Sequence, residues 1–348
     1  METVALINNL YPPNARGGAE RVVELLALKY KREGKRVVVI TLGKENKRVE
    51  QEDIVVYYYR VPQIFSYMNL DKHNFFSKLL WHAINLINIP SARGIQDILK
   101  KEHVNIVHTH NLMGLGLWFP LCLFKLKIKH IHTIHDVQLV EPSGILSWNH
   151  TKDSLTQKLY SCISKRLIGS PDIVRFPSQY IHDFYIERGF FSTSKKEVSA
   201  MNRVYPSYKS QSCSTYIFVG LLNKHKGAHL LSEIWEKVSV SNKKLIIVGD
   251  GQLRDDIEFW ADMDDTVEYV GRLEKKAVDE MYKQADCLIF PSICIENRPN
   301  VLDEALLHGL AVIATNTGGV SEVLYGIEHA TLVTPEDIEE FARVMNSA

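Results

Sequence analysis

The chain lacks any apolar run of about 18 residues, the length a helix needs to cross a bilayer. It also shows no secretory leader. The N-terminus runs directly into the strand-like Val4-Ala5-Leu6-Ile7 without a basic flank or cleavage site, which predicts a cytoplasmic protein. Cysteine is sparse: Cys122, Cys162, Cys213, Cys287 and Cys294 are odd in number and scattered, with no C-x-x-C pair. That pattern fits free buried thiols better than disulfides or a zinc site. Net charge is absent as well, with 41 Lys and Arg against 41 Asp and Glu. No Lys/Arg run is interleaved with aromatics, so no nucleic-acid partner is expected. The neutral total conceals an asymmetry, because residues 1–190 carry 25 Lys and Arg against 17 Asp and Glu, a net of +8, and the remainder is −8. A basic first half suits an anionic acceptor, or peripheral contact with an anionic membrane at its inner face, or an ordinary solvated surface.

What is present is a strand-helix rhythm. A chain of 348 residues, 45% hydrophobic, can bury two cores of ordinary size. Thr3 to Asn8 reads as a strand, Gly18 to Glu33 as an amphipathic helix stopped by Gly34, and Arg36 to Leu42 as the next strand. Further strands are expected at 54–61, 105–110, 131–136, 173–178, 216–220, 244–248 and 287–290. The apolar stretch Leu112 to Phe124 reads as a buried helix, and Leu79 to Ile87 has helical spacing that ends before Pro90. Phe65, Tyr67, Phe75, Phe76 and Trp81 suit the core of a helical insert, or else a lid or membrane-touching face. The serine-rich stretch before residue 215 marks a junction, giving domains at 1–200 and 215–348 with a linker at 201–214. Alternating strands and helices in both halves imply an α/β protein of two Rossmann-like domains facing each other across a cleft.

In parallel sheets of this kind the ligand crevice lies at the C-terminal strand ends, where His110 and His135 fall. A metal at these histidines is disfavoured, since no carboxylate stands at ligand spacing from them. Gly17 and Gly18 open the first helix, and Gly249-Asp250-Gly251 follows a strand; glycine at such turns lets the backbone approach a phosphate. The most informative stretch is Pro291 to Ala305. Leu288-Ile289-Phe290 is a short buried strand, Pro299 marks a turn, and Asn300 to His308 is a helix closed by Gly309. Glu296 therefore belongs to the loop and Glu304 to the early helix, near N–H groups that can hold an anion.

Pro291-Ser292 before Glu296, Pro299-Asn300-Val301-Leu302 between Glu296 and Glu304, and Gly318-Gly319-x-x-Glu322 after them form one ordered pattern, preceded by Val267 to Leu273. This order closely resembles the retaining glycosyltransferases of family 4, whose fold is GT-B and whose signature is Glu, seven residues, Glu. The resemblance implies a metal-independent, hexosyltransferase-type enzyme that needs no cofactor. Such an enzyme moves a sugar from a nucleotide-diphosphate donor to a polysaccharide, glycolipid or other glycoconjugate, including lipid-linked acceptors. Carried over residue by residue, it assigns Glu304 to the nucleotide ribose, Glu296 to hydroxyls of the donor sugar and Lys226 to the leaving diphosphate. It assigns His135, beside Asp136, to orienting the donor sugar, and Gly17, Gly18, Gly251, Gly318 and Gly319 to the sugar and phosphate pocket. His135, Glu296 and Lys226 are thereby the candidate catalytic groups.

Two departures stand out. The family has an arginine directly after the strand glycine, whereas Gly220 is followed by Leu221, so Arg16, Lys224 or Arg272 is expected to complete the cationic clamp. The family also continues with helices that return to the first domain, whereas this chain stops at Ala348, which is expected to weaken domain closure. These departures support an alternative, a nucleotide-sugar-binding protein with reduced or lost transfer. A nucleotide-sugar epimerase of the same fold is disfavoured by the Pro-Asn-Val-Leu context.

Overall fold

The computed structural model describes residues 1–14, 17–199, 205–208 and 212–348. They form two compact units, Met1–Gly144 with Lys152–Ser199, and Ile145–Thr151 with Ala200–Ala348. The first contains β1 (Thr3–Ile7), β2 (Arg36–Leu42), β3 (Lys47–Gln51), β4 (Ile54–Tyr59), β5 (Ile106–Thr109), β6 (Lys129–Thr133), β7 (Ile173–Phe176) and β8 (Lys195–Val198). Their order is β3-β4-β2-β1-β5-β6-β7-β8, parallel throughout except where β3 runs antiparallel to β4 at the edge. Every residue of β1 is buried, as expected for a central parallel strand covered on both faces by crossover helices such as Gly18–Arg32.

The second unit contains β9 (Thr215–Val219), β10 (Lys244–Val248), β11 (Val267–Gly271), β12 (Cys287–Phe290), β13 (Ala311–Thr315) and β14 (Ala330–Val333). They pair in parallel in the order β11-β10-β9-β12-β13-β14. This is the doubly wound order, in which the chain reverses its direction of travel between β9 and β12 and opens a crevice at their C-terminal ends. Alternate residues of β9 feed opposite cores. Tyr216 and Phe218 pack with Trp235 and Phe341, while Ile217 packs with Leu302 and Leu306. The last helix, Ile338–Ser347, packs on this unit, where Tyr216 donates to the Met345 carbonyl at 2.7 Å.

Three expectations need revision. Leu112 to Phe124 is not one helix. Gly114 and Gly116 take left-handed φ values of 91° and 97°, so the backbone turns through buried Leu112, Met113, Leu115 and Leu117 and becomes helical only at Pro120–Leu126. The aromatic stretch also divides: Trp81 is fully buried and donates to the Phe65 carbonyl, whereas Phe76 is 80% exposed; the Phe75 side chain lies outside the described residues. Finally, residues 145–151 belong to the second unit although they lie far upstream of it, so a single boundary near 200 misses them. Their backbone groups are satisfied there: Ser147 bridges Cys294, Trp148 N–H donates to the Ile293 carbonyl, and Ile295 N–H donates to the Leu146 carbonyl.

Candidate active site

Glu296 sits in the loop that follows β12, and the loop after β9 carries Lys226, so the crevice between these two strands brings them together. Lys226 Nζ lies 2.6 Å from Glu296 Oε1, to which Ser292 Oγ also donates at 2.6 Å and Cys294 Sγ at 3.6 Å. Burial by itself pushes the Glu296 carboxyl up, but the Lys226 ammonium and these hydrogen bonds outweigh it and hold the group below its usual range. Lys226 shows the mirror-image balance: burial lowers it, and Glu296 raises it above the ordinary lysine value. Among the described residues the hydrogen bonds to this carboxylate all fall on Oε1, which leaves Oε2 as the oxygen able to accept from a ligand hydroxyl.

Local backbone chemistry fixes this pair. Asn223 caps the short turn Lys224–Lys226 by accepting from Lys226 N–H at 3.1 Å, and Gly227 follows in left-handed geometry with φ 73°. A Cβ on Gly227 would collide with the Pro291 carbonyl, so only glycine lets the lysine turn approach the Glu296 loop. Gly318 does the same from the other side, since a Cβ there would strike the Glu296 backbone, and Gly319 N–H donates to the Glu296 carbonyl at 2.8 Å. Gly251 packs closely against the Leu222 backbone. These glycines thus position the loops of the site through backbone contact, a structural duty independent of any phosphate.

Glu304 has separate partners. It lies on helix Asn300–Leu307, with Lys275 Nζ 3.2 Å from Oε1 and the Tyr282 hydroxyl 3.3 Å from Oε2. Neither Lys275 nor Tyr282 was singled out from sequence; their spacing of seven on helix Lys275–Gln284, which puts both on one face, was the available signal. The loop between the two acids is braced by Arg298, whose Nη2 lies 2.9 Å from buried Asp303, and by the Tyr205 hydroxyl at 2.6 Å from the same oxygen. Arg272 is exposed at the end of edge strand β11, with β10 and β9 between it and β12. Lys224 is exposed beside Lys226, and Leu221 is 44% exposed. Arg16 lies outside the described residues.

In the first unit, Gly17 N–H donates to Glu20 Oε2 at 2.8 Å, so the acid of the same turn occupies that amide. His135 and His110 meet at the ends of β6 and β5, with Nε2 to Nδ1 at 2.9 Å. Burial lowers His135 to about 4, which keeps it neutral at pH 7, and raises Asp136 to about 6. Asp136 accepts from Gln138 N–H and from Asn111 Nδ2. These groups line a cavity of about 20 Å³ with Tyr160 and Tyr185, room for about one water. His110 Nε2 is buried without a partner among the described residues. Among those residues no group of three or more His, Cys, Asp or Glu is arranged to hold a metal ion.

Residues 16–198 match the family described as Glycosyltransferase Family 4, and residues 213–348 match Glycosyl transferases group 1. The chain belongs to glycosyltransferase family 4. A relative of this family 4 glycosyltransferase, an uncharacterized 42.6 kDa protein in the cps region of Klebsiella pneumoniae, is 29% identical over 92% of this chain and 87% of its own. The lipopolysaccharide 1,2-N-acetylglucosaminetransferase of Salmonella typhimurium is 26% identical over 56% of this chain and 57% of its own. Among solved structures, sucrose-phosphate synthase from Thermosynechococcus elongatus superposes with a TM-score of 0.75 at 18% identity, over 100% of this chain and 89% of that one. Anabaena HepE in complex with UDP-glucose gives 0.68 at 16%, over the same shares. With two parallel α/β sheets, these neighbours establish the GT-B fold for the family 4 glycosyltransferase, and the family establishes sugar transfer from a nucleotide sugar as its chemistry.

Proposed function

We propose that this glycosyltransferase retains anomeric configuration, requires no metal or other cofactor, and transfers a hexose from a nucleotide-diphosphate sugar to a polysaccharide, glycolipid or lipid-linked carbohydrate. The observation that carries this reading is the Lys226–Glu296 pair at the β9/β12 crevice, 2.6 Å apart and supported by Ser292. As the bond between the sugar and the diphosphate breaks, negative charge grows on the leaving oxygen, and the Lys226 ammonium is the cation placed to offset it. Glu296, kept ionised by Lys226, accepts from hydroxyls of the donor sugar through Oε2, and Glu304 accepts from the ribose. Gly17, Gly18, Gly251, Gly318 and Gly319 shape the donor pocket, Arg272 or Lys224 adds positive charge where Leu221 cannot, and neutral His135 orients the sugar. HepE binds UDP-glucose and the Salmonella relative is named for lipopolysaccharide, which supports a nucleotide donor and a lipid-linked acceptor. The +8 first half supports peripheral contact with an anionic membrane.

Incubation with a panel of nucleotide sugars tests the reading. Slow release of free nucleotide, with an acceptor product of the donor's anomeric configuration by NMR, is expected. Binding without turnover would make the chain a sugar-nucleotide-binding protein, as Leu221 in the clamp position favours; an inverted product would overturn retention, and turnover that stops on chelation would overturn metal independence.

A further inference from the structure

In the first unit, helices Phe75–Leu86 and Pro120–Leu126 each contact a third, Leu155–Ile168. None contains an Asp or Glu. On the first, Phe76, Leu79, Leu80 and Ala83, followed by Ile87 at its C-cap, recur at helical spacing and face outward, with Phe76 80%, Leu79 58% and Leu80 56% exposed, while Trp81 and Asn85 of the opposite face are buried. On the third, Leu155 is 84% and Leu159 65% exposed. A surface helix of a water-soluble domain ordinarily turns its apolar face inward and its polar face out. These two helices carry a second apolar face outward, and the exposed bases Lys158 and Arg166 accompany it on the third, whereas half-buried Lys78 lies on the Trp81 and Asn85 side of the first. The second unit offers the contrast. Helices Arg254–Met263, Lys275–Gln284 and Ile338–Ser347 carry Asp255, Asp256, Glu258, Asp279, Glu280, Glu339 and Glu340.

We infer that the joined outer faces of helices Phe75–Leu86 and Leu155–Ile168 are the surface by which the protein lies on an anionic bilayer. Leu79, Leu80, Leu155 and Leu159 enter the boundary between headgroups and acyl chains, and Lys158 and Arg166 meet lipid phosphates. Apolar area alone would fit a protein partner equally well; the exclusion of acids from all three helices together with the flanking bases selects an anionic lipid surface. The inference rests on the peripheral membrane contact proposed above and gives it a location.

The full chain is sedimented with vesicles of phosphatidylcholine and with vesicles that also contain phosphatidylglycerol. Binding is expected only to the anionic vesicles, weakening as salt is raised. It should fall about tenfold or more in Leu80→Ser with Leu159→Ser, and similarly in Lys158→Glu with Arg166→Glu, with thermal unfolding unchanged in both. Equal binding to both vesicle types, binding unaffected in both variants, or a dimer that the serine variant converts to monomer without vesicle binding would overturn it. Nucleotide release measured without vesicles separates the two readings. Turnover without vesicle binding sinks only the docking surface, and vesicle binding without turnover sinks only the donor chemistry.

Discussion

The crevices of the two sheets are built on opposite electrostatic principles. At the end of β5 and β6, buried His110 and half-buried His135 and Asp136 have no strong countercharge, so desolvation drives the imidazoles down and the carboxyl up. At the end of β9 and β12, Glu296 is buried but has Lys226 at 2.6 Å, and both groups keep their charge. Enclosure therefore gives neutral imidazoles beside a carboxyl of raised value in one unit and a fixed ion pair in the other. Only the second can answer charge that develops during bond breaking.

The largest effect expected from breaking this contrast is in Lys226→Ala, which removes the cation and leaves Glu296 without its main stabiliser. Nucleotide release should fall by ~10²-fold or more. Unchanged release with donor binding intact would remove Lys226 from the mechanism. Acidification should separate the units next. His130 and His135 titrate at about 4 in the folded protein and near 6.5 unfolded, so their contribution is complete above 6.5 and is lost as pH falls from there towards 4, at most roughly 3 kcal/mol each. Asp136, raised to about 6, acts in the opposite sense by favouring the fold at lower pH, and it offsets part of the loss. Glu296, lowered by its partner, contributes above its ordinary value of 4.5 and loses that contribution only as pH falls below it. Hydrogen exchange should accordingly show β5 and β6 losing protection between pH 6.5 and 4, ahead of β12; simultaneous loss would contradict the contrast.

Two smaller changes sharpen it. Leu221→Arg places a guanidinium on an exposed position of the loop that holds Lys226 and should raise nucleotide release by about tenfold if a second cation is what the charged crevice lacks. No gain would point to Lys224 or Arg272 as already sufficient. Trp148→Ala removes the 3.0 Å bond from its indole N–H to Glu336 and loosens the segment that pairs with Ile293–Ile295. A rise of about threefold in KM for the donor is expected, with kcat little changed. An unaltered KM would show that residues 145–151 do not help position Glu296.

Much of this was legible along the chain, for identifiable reasons. Strands 36–42, 244–248 and 287–290 are short apolar runs bounded by turn residues, and such runs leave few alternatives to a buried parallel strand. Gly309 ended the helix bearing Glu304, as a left-handed glycine does, with φ 71°. The 112–124 stretch misled because apolar composition alone does not separate a helix from a buried loop, and the decisive signal was the pair Gly114 and Gly116. Lys275, Tyr282 and the 145–151 segment could not be joined to the acids by proximity in sequence, because crossover helices and an early excursion of the chain bring them there.

The sequence by itself determined which groups are available: two acids eight residues apart, a lysine on a capped turn, glycines where the backbone must pass closely, and two doubly wound halves dictated by period and turn chemistry. Tertiary structure alone decided that Glu296 joins Lys226 while Glu304 joins Lys275, and that burial neutralises His135 but not Glu296. The reason is physical. Charge state and partnership depend on which groups are brought within a few ångströms in a water-poor setting, and that proximity is set by strand order, between elements that the chain itself holds far apart.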